Sequence, residues 1–536
     1  MDQPLPLTHA EASGYRATST HAQVLRFCAD LVRLTPHVRC ERLGTSGEGQ
    51  PIHALVVSPS GAFTPAAADR KGLLKILVIA NIHAGEVEGK EAVLMLARDL
   101  TVGGRPPAWL RKCVLVLIPD YNPDGNDRID ARHRALDLVK MDGQIGPPGG
   151  VGTRYTGKGI NLNRDYMKQE AVESRVLSRA YSRWWPHLTF DCHTTDGSLH
   201  GYHLTYDTAH TEASGPRDPI YYVQTELLPE VTRRLSRRGI RTFFYGNYRD
   251  QQDPRKGWES YSALPRYGSH YRGLTGRCDV LLETYSYLPF DERVRVMYAT
   301  LREAWQVAAT QAARIRTVTA RAEAQTIAAG DTPSPGDRVG ITYGVATPAP
   351  GGRLAFRYPA HPYPDEVPIV GRDLATLRAR KLGGRLVTYR TTYWGRYLPT
   401  RRVARPWAYV VPAPLVPRLR DHNIRVARLA KPATLDVERY VVLDAKRTDS
   451  PDVGSYVRDE TVLNVRGEVV SRRLAAGTWL VPMAQPLAAV AICLLEPESD
   501  DGLARWDLLP RRLRRGDEFP VLRIGAPARL TLRAGR

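Results

Sequence analysis

Two periods alternate along the chain. "STHAQVLRFCADLVRLTP" (19–36) places Val24, Phe27, Cys28 and Leu31 on one helical face, opens with Thr20 and Gln23 at capping-box spacing, and stops at Pro36. "IHALVVS" then reads as a strand and "LLKILVIA" (73–80) as one buried on both faces. Helical spacing returns at Val93, Leu96, Ala97 and Leu100, followed by the buried strand "CVLVLIPD". After a polar, glycine-rich excursion over 121–159, a helix near "EAVESRVLSRAYSRW" leads to the strand "HLTFDCH", and a helical segment around "YYVQTELLPEVTRRLSRRG" precedes the strand "CDVLLETY". Val294, Met297, Leu301, Trp305, Ala308, Ala312 and Ile315 then form one apolar stripe, which is core packing. Buried strands alternating with amphipathic helices predict an α/β fold, a mostly parallel mixed sheet flanked by helices.

The pattern fades over "AEAQTIAAGDTPSPGDRVG" (322–340), where Gly, Pro, Ser and Thr accumulate. This segment is expected as a linker between a domain at 1–321 and a mainly β domain at 341–536. In the latter, "RLVTYRTTYW", "AYVVP", "ERYVVLDA", "EVVSRRLAAGTWLVP" and "AAVAICLLEP" read as short β runs. A length of 536 residues suits two domains. No window holds 18 uninterrupted apolar residues, so no membrane span is expected. The start lacks a basic region followed by an apolar one, and the six cysteines have no paired spacing, so a reducing cytoplasmic location is the expectation. The net charge of +20 raises a polyanion partner, but the arginines spread along the whole chain and no nucleic-acid motif accompanies them. No specific nucleic-acid partner is expected.

Four polar segments stand at the C-terminal ends of predicted strands, where open α/β sheets place ligands. They are "NIHAGEVEG", "DYNPDGND", "DCHTTDG" and "LLETYSY". His83 and Glu86, three residues apart at a strand-to-helix turn, can converge on one point, and His193 is the candidate third ligand of a catalytic zinc site. Taken singly, a histidine after an aliphatic strand is more often a satisfied core residue. The combination is what carries weight.

These segments together resemble the zinc carboxypeptidases related to pancreatic carboxypeptidase A and to the cytosolic carboxypeptidases, over roughly residues 20 to 320. The resemblance implies His83, Glu86 and His193 as ligands of one zinc, and aligns the "NPDG" of Asn122 to Gly125. It implies Asn163 and Arg164 of "GINLNRDY" as the grip on a substrate's terminal carboxylate, Arg154 of "GTRYTGKG" as the oxyanion stabiliser, and Glu283 as the catalytic carboxylate. The fold expected is therefore zinc-carboxypeptidase-like, and the partner a peptide with a free C-terminal carboxylate.

Where pancreatic enzymes carry an aspartate that orients a zinc histidine, this chain has Asn161, and Asp191 is available for a similar task. The mobile active-site tyrosine of the family is assigned to Tyr271, with Tyr261 and Tyr267 as rivals. Two other readings compete. One is a hydrolase of the same scaffold acting on cell-wall peptides or acyl amino acids, and the other is a non-catalytic polyanion-binding protein.

Overall fold

The strands before residue 285 are β1 (Val38–Thr45), β2 (Pro51–Val57), β3 (Leu74–Ala80), β4 (Cys113–Ile118), β5 (Leu188–Thr194), β6 (Leu204–Asp207), β7 (Thr242–Phe244), β8 (Asn247–Tyr248), β9 (Trp258–Glu259) and β10 (Cys278–Thr284). The computed structural model from which they are taken describes residues 5–346, 366–448 and 460–534. Eight of these strands make one mixed sheet in the order β1-β2-β4-β3-β5-β10-β6-β7. At its centre β4, β3, β5 and β10 run parallel. Their C-terminal ends therefore come out side by side. Every residue of β3, β4 and β5 is buried, which is why they read as unbroken apolar runs with only isolated polar interruptions.

Alternate residues of β3 serve two cores. Leu74, Ile76, Val78 and Ala80 belong to a cluster with Val24 and Leu31 of α1 (His21–Leu34), Val93 and Leu96 of α2 (Glu88–Asp99) and Met297 and Trp305 of a later helix. Leu77 and Ile79 face the other way, into a cluster with Val176 and Leu177 of α3 (Val172–Trp184). That second cluster continues without a break into Tyr409, Val411, Leu419 and Phe519 of the C-terminal region. The second face of the sheet thus shares one continuous core with residues beyond 400.

The later helix is α4 (Phe290–Thr310), which kinks at Gln311 into α5 (Ala312–Asp331). This corrects the expected linker at 322–340. Its first ten residues continue α5, with Ala322 and Thr326 buried, and a strand begins again at Arg338. Only the Pro- and Ser-containing stretch after Asp331 breaks the helix. Gly330 is where α5 meets the C-terminal region, for a Cβ there would lie 1.9 Å from the Met483 carbonyl oxygen.

The C-terminal region is β-rich. Leu386–Trp394 joins β9 and β8 in a four-stranded sheet with Glu366–Arg372, and the 16- and 15-residue strands Ala433–Thr448 and Glu460–Leu474 pair within a seven-stranded antiparallel sheet. One expected β run is instead helical. "AAVAICLLEP" forms α6 (Ala488–Leu495), buried on every side. An all-apolar run has no period that separates a strand from a submerged helix, and here alanine content favours the helix. Among the described residues no helix is long and apolar enough to cross a membrane.

Candidate active site

β3 ends at Ala80, and Asn81 takes a left-handed backbone (φ 64°) that turns the chain across the strand ends. Its side-chain amide donates to Asp120 Oδ1 (2.8 Å) and Asn126 Oδ1 (3.0 Å), which holds the turn. His83 follows, and Glu86 closes the turn by donating its N–H to the His83 carbonyl. Asn122 of the NPDG turn braces this segment by donating to the Ile82 carbonyl at 3.2 Å. Thr153 ties in the next piece, donating its N–H to the Gly125 carbonyl while its own carbonyl accepts from Ala84. The turns bearing His83, the NPDG sequence and Arg154 are therefore laced into one unit. Gly89 lets α2 approach β5, since a Cβ there would lie 2.6 Å from Cys192 Cβ.

His193 reaches the same point from the end of β5. His83 Nδ1 lies 3.0 Å from Glu86 Oε1, His193 Nδ1 lies 3.0 Å from Glu86 Oε2, and the two Nδ1 atoms are 3.3 Å apart. All three residues are buried and converge as a group able to hold a metal ion. The outer nitrogen of His83 fixes its tautomer. His83 Nε2 donates to Asn161 Oδ1 at 3.1 Å, leaving the inward Nδ1 as a lone pair, and His193 Nε2 lies 3.1 Å from Asp191 Oδ1. Asn161 and Asp191 thus each face the outer nitrogen of one ligand histidine. Two imidazole nitrogens and two carboxylate oxygens aimed at one point fit a zinc ion, whose charge satisfies all of them together.

Charge in the cluster follows the same logic. Burial and the Arg154 cation push His83 down to about 3, so it stays neutral. Burial alone would raise Glu86, but His83, Arg134 and His193 outweigh it and hold its carboxyl well below the usual range. Burial likewise opposes charge on His193, yet Asp191 and Glu86 raise it well above an ordinary histidine. Glu283 pairs with His193 in register between β10 and β5. Burial pushes its carboxyl up to about 8, with Glu86 and Asp196 adding to the shift.

A solvent-open cleft of about 600 Å³ joins His83, Glu86, Arg154, Asn163, Arg164 and Glu283, with Tyr245, Tyr261 and Tyr267 on its walls. Arg154 Nη1 is 3.3 Å from Glu86 Oε1. The Arg164 guanidinium stacks 4.2 Å from the Tyr267 ring centroid, and Asn163 Oδ1 accepts from Gly268 N–H at 2.9 Å. The sequence assignment of Tyr271 is corrected. Tyr271 is buried, its hydroxyl 2.9 Å from His422 Nδ1, and it is absent from the cleft lining. The short helix Gly268–Leu274 turns it inward, whereas Tyr267 at the N-cap and Tyr261 before it face the cleft.

The sequence reading also missed Arg134. Its guanidinium donates from Nη1 to Glu86 Oε1 (2.9 Å), from Nη2 to the Thr195 carbonyl (2.8 Å) and from Nε to Gln144 Oε1 (3.1 Å). Gln144 in turn donates to the Gly85 carbonyl, and Gly85 leaves the space this arginine occupies, since a Cβ would sit 2.9 Å from Arg134 Cδ. Nothing in the loop's periodicity marks Arg134. The only local signal is Gly85 between the two ligands. Arg134→Met should weaken zinc binding about 10- to 100-fold, because groups that orient a metal ligand typically matter by that much. Competition with a chromogenic chelator measures it, and affinity within twofold of the parent would remove Arg134 from the site.

Residues 24–183 match the family model described as zinc carboxypeptidase. Carboxypeptidase 2 of Trichophyton rubrum is 22% identical over 509 residues, covering 89% of this chain and 81% of that protein. Carboxypeptidase D of Mus musculus is 32% identical over 178 residues, which are 30% of this chain and 12% of that protein. Among solved structures, a metallo-carboxypeptidase from Burkholderia cenocepacia overlaps 55% of this chain and 70% of its own at 17% identity, with a TM-score of 0.38. Residues 24–183 are thus similar to a zinc carboxypeptidase, and that stretch holds His83 and Glu86 of the donor set described above.

Proposed function

We propose that the protein removes C-terminal residues from peptides, holding one zinc ion per chain and selecting substrates by their free terminal carboxylate. The observation that supports this most is the single cleft lined by two of the three metal donors together with Arg154, Asn163, Arg164 and Glu283. Zinc on His83, Glu86 and His193 would supply a Lewis acid and a water whose pKa is lowered to about 7.

The chain's own residues do the rest. Arg164 receives the terminal carboxylate with its planar fork, and the Tyr267 ring at 4.2 Å fixes the plane of that fork. Asn163, tied to Gly268 through its Oδ1, lines the cleft beside it. With the carboxylate anchored there, the scissile carbonyl lies toward Arg154, which meets the charge growing on its oxygen. Such preorganised donors contribute about 3 kcal/mol each. Glu283 takes a proton from the attacking water and delivers it to the leaving nitrogen.

An N-blocked dipeptide and its C-terminal amide provide the test. The acid should be hydrolysed and the amide left intact, with activity lost to a chelator and restored by zinc. Equal cleavage of both would favour an amidohydrolase of other specificity. No cleavage, with salt-sensitive polyanion binding, would favour the non-catalytic reading.

A further inference from the structure

The C-terminal region touches both segments that carry the carboxylate grip. One is the stretch that follows Arg164. His422 reaches in from beyond residue 400, its Nε2 3.2 Å from the Met167 carbonyl and its Nδ1 2.9 Å from Gln169 Nε2, while Arg418 donates to the Lys168 carbonyl. The other is the turn at Arg266, immediately before Tyr267. Asp501 accepts from the Arg266 peptide N–H through Oδ2 (2.7 Å) and from its Nε through Oδ1 (2.8 Å), and Glu460 accepts from its Nη1 at 2.9 Å. Trp506 donates from Nε1 to Asp501 Oδ1 at 3.1 Å, and its ring meets two cations, Arg266 at 4.5 Å and Lys168 at 4.3 Å from the centroid. Arg266, Asp501 and Glu460 are all buried.

We propose that the C-terminal region is the positioning part of the substrate-carboxylate site, acting through Asp501 and Glu460 on Arg266. The geometry passes the constraint on in one step. A backbone pinned at Arg266 fixes Tyr267, whose ring stacks on the Arg164 guanidinium, and Gly268, whose N–H holds Asn163. Moving that turn would unstack Arg164 and release Asn163 together, while His83 and Glu86 keep the supports that Asn122 and Thr153 give their turn. Arg266 is thus a positioning residue, distinct from the groups that touch substrate. A buried ion pair has a high desolvation cost, and fixing one arrangement is among its best-attested uses.

This inference rests on the carboxypeptidase reading, and the test separates the two. In the full-length protein, Asp501→Asn keeps the side chain's size and an acceptor but removes its charge. Glu460→Gln is the milder second variant, at the outer guanidinium nitrogen. With the blocked dipeptide, both should raise KM, and the inhibition constant of the released free amino acid, by about tenfold, as a displacement well under 1 Å at a positioned group can do. kcat and zinc content should stay close to the parent. Unchanged KM in both variants, or a fall in kcat alone that tracks lost folded protein, overturns the proposal. Failure of the parent itself to cleave the free acid would instead overturn the carboxypeptidase reading.

Discussion

Glu283→Gln should abolish measurable hydrolysis of the blocked dipeptide, lowering kcat by about 10²- to 10⁴-fold, the usual contribution of a positioned general base and acid. Zinc should remain bound, because Glu283 is outside the converging donor set of His83, Glu86 and His193. Gln has the same shape and cannot carry the proton from water to amine. A second readout uses the metal-free protein. There the Glu283 carboxyl has its pKa raised from 4.5 to about 8 by burial, with Glu86 and Asp196 adding. A raised carboxyl favours its neutral form in the folded state, so it costs nothing below about pH 4.5 and costs progressively more as pH climbs through 8. Metal-free Glu283→Gln should therefore unfold at a higher temperature than the metal-free parent at pH 8, with the difference vanishing toward pH 4. Calorimetry with kinetics on the same preparations decides it. Residual activity above a tenth of the parent's would assign the proton transfer to another group.

Arg272→Met carries the largest expected loss of stability. Arg272 is buried and donates from Nη2 to Asp191 Oδ2 (2.6 Å), from Nε to Asp279 Oδ1 (2.5 Å) and from Nη1 to the Tyr166 hydroxyl (2.9 Å). Removing it takes the one guanidinium that both carboxylates share, each of them about 1% exposed. Breaking such a network by deleting one partner costs about 3 to 5 kcal/mol. Methionine retains most of the stem's packing, so the loss reports charge more than volume. The effect extends to the metal, because Asp191 Oδ1 is the group opposite His193 Nε2. Zinc affinity should fall along with the unfolding temperature. A variant that melts within 2 °C of the parent and titrates zinc normally would show that Asp191 and Asp279 find other partners.

How much of this was legible follows from where the information lies. His83, Glu86, His193 and Glu283 could be read because each stands at or just after the end of a buried strand, and strand ends collect ligands. Arg154 and Arg164 were readable only through their spacing within the motif order of the family the sequence resembles. Arg134 lies 48 residues from the carboxylate it touches and Asp501 lies 235 residues from Arg266, both in segments without period, so no local rule selects them among so many charged residues. Tyr271 and Tyr267 share one short segment, and only the direction of the helix beginning at Gly268 decides which faces the cleft. The boundary near residue 322 failed for a related reason. Composition marks where a helix stops, but not that the helix before it packs against a later part of the chain. The excess of arginine also looks different in three dimensions. Arg266, Arg272 and Arg293 are among the largest fully buried side chains, so some of the basic residues are internal struts.

The position of Asp501 in the chain has a consequence for how activity arises during synthesis. His83, Glu86, His193 and Glu283 have all been made by residue 283, yet the carboxylate that secures Arg266 is translated more than two hundred residues later. A nascent polypeptide would therefore complete its donor set well before Asp501 emerges, and a tight grip on a peptide's end would come only after that later segment has folded against Arg266.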